Sequence, residues 1–531
     1  MDYSTLACVP LGVLSIWAFF AIQSNKRSLK FLRGPPNTSL LLGNEYDILQ
    51  QIDVGGVFLQ WMEEYGSAYR AKTVLNEDML IITDPKALQH MFHKSSYHFP
   101  KSADTVFTSM RIFGPGVVAV QGLVHQRQRK IMMPAFSAAQ IKPFVAIFQR
   151  VTNSLIAQWR ERLSSGEDII DTTKWLSNLT LDALGEAVFD YEFGALESKN
   201  NHLAKLVRNL FVDTVRPTKA RYLWNRMRTH YLPSGLANIG ATLHPTKEDV
   251  RFKHWQDTSK AEAKMLYKNK LQGEASAESD VLGVISRSLD AEDAQRRMDA
   301  DEALSQMSTI ILAGHETSGN TLNWLLYELA KHPDDQERIF KEIRHAREQK
   351  SGAEDLTAND FDSMPFLHAV VKETLRLHPI VPRLVREAED DDVIPLAFPV
   401  VSASGELLSE IPVAKGQRIW VSVIGYNYMK EVWGEDADQW NPDRHLDAKR
   451  AMTLGMYGNL MSFGAGVRGC IGWRFAVHEI QTVAALLIES FTFSMIPGVE
   501  IAMINAQMSV PIVKGKMEEG VQMPVRVQVR E

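Results

Sequence analysis

A glycine-rich loop around one cysteine precedes the last long helical pattern of this chain. The loop reads Phe463-Gly464-Ala465-Gly466-Val467-Arg468-Gly469-Cys470-Ile471-Gly472, and the helical pattern runs from Trp473 to about Ser490. Glycines let the backbone follow a tight path close to a flat partner. Because Cys470 lies just before a helix start, free amide N–H groups and the positive end of the helix dipole can stabilise its thiolate. Cys470 is therefore a candidate metal ligand.

This loop also has interpretations other than a metal ligand. The only other cysteine is Cys8, so a disulfide framework and a four-cysteine metal site are excluded. Gly464, Gly466 and Gly469 also spell GxGxxG, a dinucleotide-binding fingerprint, but that motif requires a preceding strand and a second βα unit, which this region lacks. An inert buried cysteine in a turn is the default for a lone cysteine, and the loop alone leaves it open.

The run from Phe463 to Gly472 matches the haem-binding signature of the cytochrome P450 family, FxxGxRxCxG, at every specified position. The chain therefore resembles the haem-thiolate monooxygenases of that family, from about Gly34 to Arg530. The resemblance implies haem b as the cofactor and Cys470 as the axial thiolate ligand of its iron. It also implies that Phe463, Gly464 and Gly472 bind the cofactor.

A second match is the segment Ala313-Gly314-His315-Glu316-Thr317-Ser318, which resembles the oxygen-activating helix of the family. The surrounding pattern predicts one helix from Asp301 to about Lys331, roughly 45 Å long at about 1.5 Å per residue. A glycine inside a helix costs about 1 kcal/mol relative to alanine. Close approach of a ligand is one reason for Gly314 to be there.

Thr317 is the proton-delivery candidate of this helix. Its hydroxyl can bond the carbonyl of Ala313 or give that bond up to a water. The resemblance assigns proton delivery to Thr317 and Glu316, and cofactor contact to Ala313 and Gly314. A zinc-binding HExxH helix is excluded because the fifth position is Gly319.

Glu373 and Arg376 match the ExxR pair of the family, and Asn441-Pro442-Asp443-Arg444-His445 resembles its Pro-x-Arg segment. On a helix such an i, i+3 pair is usually exposed on the surface and contributes little to stability. The resemblance instead implies that Glu373, Arg376 and Arg444 form a structural triad that supports the cysteine loop.

Haem propionates require cations, and arginine is suited to bidentate recognition of carboxylates. The resemblance points to four residues. Arg468 lies in the cysteine loop, and Arg386 follows the ExxR pair. His125 and Arg129 occupy the ends of a WxxxR-like segment in which histidine replaces tryptophan.

The pattern of the body predicts a mainly α (α+β) fold, a single large haem domain with small β-sheets. Tyr69 to Leu75 and Met79 to Thr83 are two short apolar stretches separated by turn residues, and a second β-like stretch runs from about Val393 to Ile424. Between them, from about Ala139 to Ala330, the spacing is helical. Polar breaks are predicted at Pro233 to Lys247 and Gln272 to Asp280.

Leu6 to Gln23 is an uncharged apolar run of transmembrane length, and Lys26 and Arg27 follow it. The positive-inside rule places the body of the protein in the cytoplasm. A cleaved signal peptide is the alternative, but it would carry its basic residues ahead of the apolar run. We therefore predict a transmembrane anchor at residues 1–25, a basic and proline-rich linker at 26–38 and the catalytic domain at 39–531, on the endoplasmic reticulum membrane in a single pass.

The net charge of −6 excludes a general nucleic-acid binder. The resemblance implies a monooxygenase that takes electrons from NADPH through a partner flavoprotein reductase, and it is strongest to fungal enzymes of natural-product pathways. We predict a mostly apolar pocket and a lipophilic substrate, with a terpenoid as first choice and a fatty acid as second. The resemblance implies that the apolar residues lining this pocket include Phe107, Met110, Ile112, Phe113, Ile310, Val381, Leu384 and Met508.

Two further alternatives remain open at this stage. A reductase-independent haem-thiolate isomerase is one, although such members often lack the threonine that is present here as Thr317. A haem sensor or carrier is the other, and it would have no need for Glu316 and Thr317. A xenobiotic hydroxylase is a variant of the main prediction with a different substrate.

Overall fold

The computed structural model of this protein describes residues 27–197, 202–208, 210–211, 215–232, 234–272, 281–350, 355–446 and 454–530. The anchor predicted at residues 1–25 lies outside the described residues. Within those ranges no single helix is long and apolar enough to span a membrane. The consecutive segments Gly122–Phe136 and Ala138–Ser164, bent by 47° at their junction, meet that requirement of length and composition only as a pair.

Helices dominate the described part of the chain, and the predicted mainly helical class is confirmed. In the first half they are α1 (Gly43–Leu49), α2 (Gly56–Tyr65), α3 (Pro85–Gln89), α4 (Ala103–Phe113), α5 (Gly122–Met132), α6 (Ala138–Ile141), α7 (Phe144–Ser164), α8 (Thr172–Phe189), α9 (His202–Arg208), α10 (Lys219–Arg226), α11 (Ser234–Leu243) and α12 (Lys247–Gln272). In the second half they are α13 (Val281–Leu289), α14 (Ala300–Lys331), α15 (Pro333–Glu348), α16 (Ala358–Asp362), α17 (Pro365–Leu377), α18 (Val423–Asn427), α19 (Lys430–Trp433) and α20 (Trp473–Ser490).

The strands form small sheets, also as predicted. They are β1 (Ala68–Lys72), β2 (Asp78–Ile82), β3 (Ile169–Asp171), β4 (Arg383–Glu387), β5 (Asp392–Val401), β6 (Leu407–Val413), β7 (Arg418–Ser422), β8 (Phe491–Ser494), β9 (Ile501–Ala506), β10 (Met508–Val513) and β11 (Pro524–Val529). The largest sheet has the order β1-β2-β7-β4, with β2 and β7 parallel and the other pairs antiparallel. Strands β3-β11-β8, β5-β6 and β9-β10 form three smaller antiparallel sheets.

Several local predictions can be compared with these bounds. The two apolar stretches near residue 70 form the antiparallel pair β1–β2, and the β-like stretch from Val393 contains β5, β6 and β7. The predicted break at Pro233 to Lys247 is wrong in part, because α11 fills most of it. Apolar residues such as Leu236 and Ala237 give that segment a helical pattern despite its glycines. Most of the break at Gln272 to Asp280 lies outside the described residues.

Helix α14 is the long helix predicted from Asp301 to Lys331. Asp299 caps its N-terminus by accepting the N–H of Glu302, and the Glu302 carboxylate accepts the N–H of Asp299 in return. Apolar and small residues are spread around the helix, so it is buried on most sides. It packs against α8, α12 and α20. This places its middle turns inside the molecule.

Helix α20 begins directly after the cysteine loop and anchors that loop in the core. The ring of Phe475, in its first turn, makes edge contacts with Phe148 at 5.1 Å and Phe144 at 6.1 Å between ring centroids. Both partners belong to α7. Because α20 also packs against α14, the start of α20 and the middle of α14 are held against one core.

Candidate active site

The cysteine loop is closed by backbone hydrogen bonds. The N–H of Cys470 donates to the carbonyl of Phe463 at 2.8 Å, and the N–H of Gly464 donates to Met461 at 2.8 Å. A short 3₁₀ turn at Gly466–Arg468 lies between them. These bonds hold the cysteine at the end of a narrow loop, immediately before α20. Cys470 thus lies just before the start of a helix, as predicted.

Two glycines of the loop have different reasons to be glycine. Gly466 has φ +60°, and a Cβ built there would lie 1.8 Å from the carbonyl oxygen of Phe92, so no larger residue fits. A Cβ on Gly472 would meet nothing closer than Phe136 at 3.8 Å. The protein itself therefore does not require a glycine at position 472. The space beside Gly472 belongs to a cavity in which a flat group can approach the backbone.

The thiol of Cys470 opens onto that cavity but is enclosed by protein at its back. Burial raises the pKa of the Cys470 thiol. The N–H of Gly472 and the guanidinium of Arg129 act in the opposite direction, without cancelling the effect of burial. The helix-start environment thus acts on Cys470 in the expected direction, and a metal cation bound to the sulfur would favour the thiolate further.

The cavity brings together almost every residue that the sequence assigned to the site. Its volume is about 700 Å³. The predicted site residues on its wall are His125, Arg129, Ala313, Gly314, Thr317, Arg386, Phe463, Gly464, Arg468, Cys470 and Gly472. These come from four separate stretches of the chain, so their convergence is a property of the fold and not of sequence proximity.

A cluster of four basic side chains lies on this wall, of which Arg386 is buried and the other three are half-buried. They are Lys101, Arg129, Arg386 and Arg468, called the cation cluster below. Each donates to a backbone carbonyl: Lys101 to Val118, Arg129 to Gly469 at 2.7 Å, Arg386 to Val385 at 2.8 Å and Arg468 to Val120 at 3.4 Å. Among the described residues, no carboxylate lies within 4 Å of any of the four.

The charges of the cluster act on one another. Burial, followed by the charges of Arg386 and Arg468, lowers the pKa of Lys101 to about 7. Burial and Arg468 lower the pKa of Arg386 to about 9. The Nε atom of Arg468 has no partner among the described residues. A set of buried cations in this state is short of an anion.

His125 lies beside the cluster and is neutral. Burial and the charges of Arg468, Arg129 and Lys101 lower the pKa of His125 to about 3. Its Nδ1 atom is 3.1 Å from the hydroxyl of Tyr97. When Nδ1 accepts that hydroxyl proton, Nε2 carries the ring hydrogen and can donate it to an anion.

These residues fit haem b, the cofactor implied by the resemblance. The thiol of Cys470 supplies an iron ligand, the gap beside Gly472 admits a flat ring, and the cation cluster matches two propionate carboxylates. Lys101 was not identified in the sequence. No motif marks it, and only the folded chain shows that its side chain is enclosed next to Arg386 and Arg468.

On the opposite wall, α14 presents Thr317. The Thr317 hydroxyl donates to the carbonyl of Ala313 at 2.6 Å, the bond that the sequence predicted as one of two alternatives. The structure adds a second reason for Gly314 to the predicted approach of a ligand. A Cβ on Gly314 would lie 2.8 Å from Cδ1 of Leu184, so the glycine permits close packing of α8 against α14. Gly314 also lines the cavity.

Glu316 does not lie on the cavity wall with Thr317. Its carboxylate accepts the hydroxyl of Ser177 on α8 at 2.8 Å and the amide of Asn320 at 3.3 Å. The side chain of His315 is fully buried, and its Nδ1 is bonded to the carbonyl of Ile311. The two polar residues before Thr317 therefore point away from the cavity into the helix packing.

The residues of the predicted triad meet away from the cavity, in a buried ionic network. Arg376 donates to both carboxylate oxygens of Glu373 at 2.8 Å, and Nε of Arg444 donates to the same carboxylate at 2.9 Å. Nε2 of His445 is 2.9 Å from Glu373. Burial acts to raise the pKa of Glu373, but the hydrogen bonds from Arg376 and His445 outweigh it and lower the pKa to about 2.

The substrate side of the cavity differs from the predicted pocket in two ways. Seven of the eight predicted apolar residues line it, but Met110 does not and is 40% exposed, because it lies on the outer face of α4. The wall is also more polar than predicted. It includes the charged residues Glu45, Asp104, Arg111, Arg226, Arg228, Asp249, Arg383 and Arg418.

The chain is similar to a known protein family and to several known proteins. A family model for cytochrome P450 matches residues 33–518. Cytochrome P450 monooxygenase claQ of Ampulloclitocybe clavipes is 32% identical over 519 residues, which cover 94% of this chain and 92% of that protein. Cytochrome P450 monooxygenase 128 of Postia placenta is 31% identical, with 94% and 92% covered. Ganoderic acid synthetase CYP5150L8 of Ganoderma lucidum is 31% identical, with 90% of each chain covered.

Proposed function

The chain belongs to the cytochrome P450 family, and we propose that this monooxygenase oxidises a lipophilic small molecule in fungal natural-product biosynthesis. Electrons come from NADPH through a partner flavoprotein reductase, as the resemblance to the family implies. Support for the pathway comes from relatives such as the ganoderic acid synthetase of Ganoderma lucidum. The observation that carries the proposal is the convergence of Cys470, the cation cluster and Thr317 on one cavity.

Cys470 holds the haem iron, and Arg129, Arg386, Arg468 and Lys101 bind the propionates together with His125. Haem iron held by a thiolate supplies the reductive activation of dioxygen, in which one oxygen atom enters the substrate and the other leaves as water. Phe463, Gly464 and Gly472 shape the face of the cysteine loop, and Ala313 and Gly314 line the opposite wall. The backbone hydrogen bond from Gly472 and the charge of Arg129 stabilise the sulfur of Cys470 before the cofactor binds.

Thr317 passes protons to the oxygen-binding side of the cavity. The Thr317 hydroxyl donates a hydrogen bond to the carbonyl of Ala313, and a water in the cavity can compete for that hydroxyl proton. Glu316 acts behind Thr317, by supplying protons from the α8 side once its bonds to Ser177 and Asn320 open. Glu373, Arg376 and Arg444 have a structural role and support the cysteine loop.

We further propose a membrane-bound location for the enzyme. Residues 1–25 anchor the chain in the endoplasmic reticulum membrane in a single pass, residues 26–38 form the linker, and residues 39–531 form the cytoplasmic catalytic domain. A lipophilic substrate, a terpenoid or a fatty acid, enters from the membrane. A xenobiotic hydroxylase uses the same machinery on another substrate, whereas a haem-thiolate isomerase uses no reductase.

The first test is the absorption difference spectrum of the dithionite-reduced protein with and without carbon monoxide. A Soret band at the wavelength that gives the family its name is expected, and Cys470→His is expected to bind haem without that band. Turnover that requires both NADPH and a reductase separates the monooxygenase from the isomerase. Haem with an unshifted band in the unmodified protein would contradict thiolate ligation by Cys470.

A second test addresses Thr317. Thr317→Ala is expected to consume NADPH at a rate close to that of the unmodified enzyme while product per NADPH falls several-fold. Thr321→Ala is the matched control, since the Thr321 hydroxyl makes the same type of bond, to the carbonyl of Thr317, one turn further along α14. Full coupling in Thr317→Ala would refute the proton-delivery role.

A further inference from the structure

Arg383 is a cavity arginine that belongs to neither of the two ionic groups described above. It begins β4, the edge strand of the four-stranded sheet, and it lines the same cavity as Thr317 and Cys470. Its guanidinium lies over the ring of Trp420 on the neighbouring strand, 4.9 Å from the ring centroid. A stacked arginine of this kind is held in one position, with its N–H groups directed past the ring.

The hydrogen-bond partner of Arg383 is a neutral one. The side-chain amide of Asn505 on β9, oriented to satisfy both groups, accepts N–H groups of Arg383 through its oxygen. Within the described part of the chain no carboxylate lies within 4 Å of Arg383. Burial lowers the pKa of Arg383 to about 10, with Glu45 acting in the opposite direction and Arg418 reinforcing the effect, so the group is charged at neutral pH.

The carboxylates nearest to Arg383 already pair with other arginines. Asp104 binds Arg418 at 2.9 Å and also pairs with Arg226. Glu45 lies 3.4 Å from Arg226 and 3.7 Å from Arg418. Asp104 and Glu45 therefore pair with Arg226 and Arg418, and neither carboxylate lies within 4 Å of Arg383. An incoming carboxylate would give Arg383 an anionic partner.

The cation cluster does not explain Arg383. Successive side chains of a strand point to opposite faces, so Arg383 and Arg386, three residues apart on β4, project to opposite faces. Arg386 lies over the ring of Phe92 and interacts with Arg468. Arg383 interacts instead with Glu45 and Arg418. A propionate bound by the cluster leaves Arg383 available to a different anion.

We propose that Arg383 and Asn505 bind the carboxylate of the substrate, and that the enzyme therefore acts on lipophilic carboxylic acids. This inference rests on the proposed function and narrows its substrate class. Two N–H groups of Arg383 engage the two carboxylate oxygens, and the Asn505 amide is displaced or donates to one of them. The apolar residues of the wall, among them Phe113, Ile310 and Leu384, contact the remainder of the substrate.

The test compares acids with their methyl esters, which have the same skeleton without the charge. Palmitic acid with methyl palmitate represents the fatty acids, and oleanolic acid with methyl oleanolate represents the polycyclic terpenoids. Binding to the haem-loaded full chain is measured by the Soret shift and, independently of the haem spectrum, by calorimetry in the same detergent. In at least one pair the acid is expected to bind roughly tenfold or more tightly than the ester. The skeleton of that pair identifies which type the cavity accepts.

The variant Arg383→Gln is expected to bring the acid-to-ester ratio of affinities close to one, mainly by weakening the acid. Asn505→Ala is expected to reduce the ratio less. Arg111→Gln is the matched control, because Arg111 lines the same cavity but pairs with Asp249, which keeps Arg228 as a second partner. This variant is expected to leave the ratio unchanged.

Two results would overturn the inference. One is an unmodified enzyme that binds both esters as tightly as both acids, and the other is an acid preference that survives in Arg383→Gln. Either result, obtained with a normal carbon monoxide spectrum and reductase-dependent turnover, would leave the proposed function intact. Absence of the carbon monoxide band would instead contradict the proposed function.

Discussion

Two groups of buried charge in this molecule have opposite architectures. In the network of Glu373, Arg376 and Arg444, every charge faces an opposite charge or a backbone carbonyl. The five N–H donors of Arg376 are all used, by Glu373 and by the carbonyls of Asn427, Ala437 and Gln439. In the cation cluster, four positive side chains face backbone carbonyls, with no carboxylate near them in the described chain.

The difference shows what each group is built for. A network that satisfies itself lowers the pKa of its acid, as in Glu373, and needs nothing from outside. A cluster that lacks an anion lowers the pKa values of its bases, as in Lys101 and Arg386, and leaves room for an anionic ligand. The same residue type, arginine, thus completes a closed ionic network in one place and lacks a carboxylate partner in the other.

The largest effect is expected from breaking the closed network. Arg376→Gln leaves the fully buried carboxylate of Glu373 without its bidentate partner, and breaking a buried pair in this way costs roughly 3–5 kcal/mol. We expect the free energy of unfolding in urea to fall by about this amount, and little haem-loaded protein to accumulate on expression. A well-folded variant of unchanged stability would contradict the structural role of the network.

Glu479 on α20 extends the comparison to a buried acid without an opposite charge. Burial raises the pKa of Glu479 to about 8, and the nearby hydroxyl of Ser318 opposes this only in part. Because the folded state holds the proton more tightly than the unfolded state, stability is lost as the pH rises from about 4.5 to 8, and the loss is complete above pH 8.

Glu479→Gln is therefore expected to be more stable than the unmodified protein above pH 8, by roughly 2–4 kcal/mol, and similar to it near pH 4.5. Urea denaturation at pH 5 and pH 9 measures both differences. Glu431→Gln, at an exposed glutamate, serves as the control and is expected to show no such pH dependence. A variant whose advantage is the same at both pH values would mean that the carboxyl is not protonated in the folded protein.

Removing one arginine from the cation cluster is expected to have a smaller effect, which falls on haem retention. Arg386→Gln removes one propionate partner but leaves Cys470 in place, so haem is expected to transfer to excess apomyoglobin about tenfold faster, which corresponds to about 1.4 kcal/mol. The carbon monoxide spectrum is expected to keep the thiolate position. Arg383→Gln, on the opposite face of the same strand, is the matched control and should retain haem normally. Equal loss from both variants would contradict the separation of the two arginines.

The sequence identified the residues of both groups only where a motif carried them. Cys470, Arg468 and the ExxR pair lie in short segments whose spacing is sufficient to recognise them, and the long helix around Thr317 was recognisable from its period. The enclosure of Lys101 and Arg383 depends on strands and helices that are distant in sequence. Met110 was assigned to the pocket because its neighbours line it, but it lies on the other face of α4. Which face a residue occupies is fixed by tertiary packing.

Gly314 and Glu316 show the same limit in α14. The sequence marked Gly314 as unusual inside a helix, and the resemblance assigned a role to Glu316, but both residues contact α8, through Leu184 and Ser177. A single sequence does not reveal which helix packs against α14. These contacts therefore could not be predicted from the motif.

The smallest effect is expected at an exposed pair of arginine and glutamate, one helical turn apart. Arg344 and Glu348 are 3.5 Å apart on α15, with side chains 63% and 64% exposed. Arg344→Gln is expected to lower the free energy of unfolding by no more than about 0.5 kcal/mol, and the difference should vanish in high salt because water and ions screen the pair. The same substitution at Arg376 removes a charge of the same type from a buried position, where the guanidinium also donates to three backbone carbonyls. An Arg344→Gln penalty of several kcal/mol would mean that exposure to water does not weaken this pair.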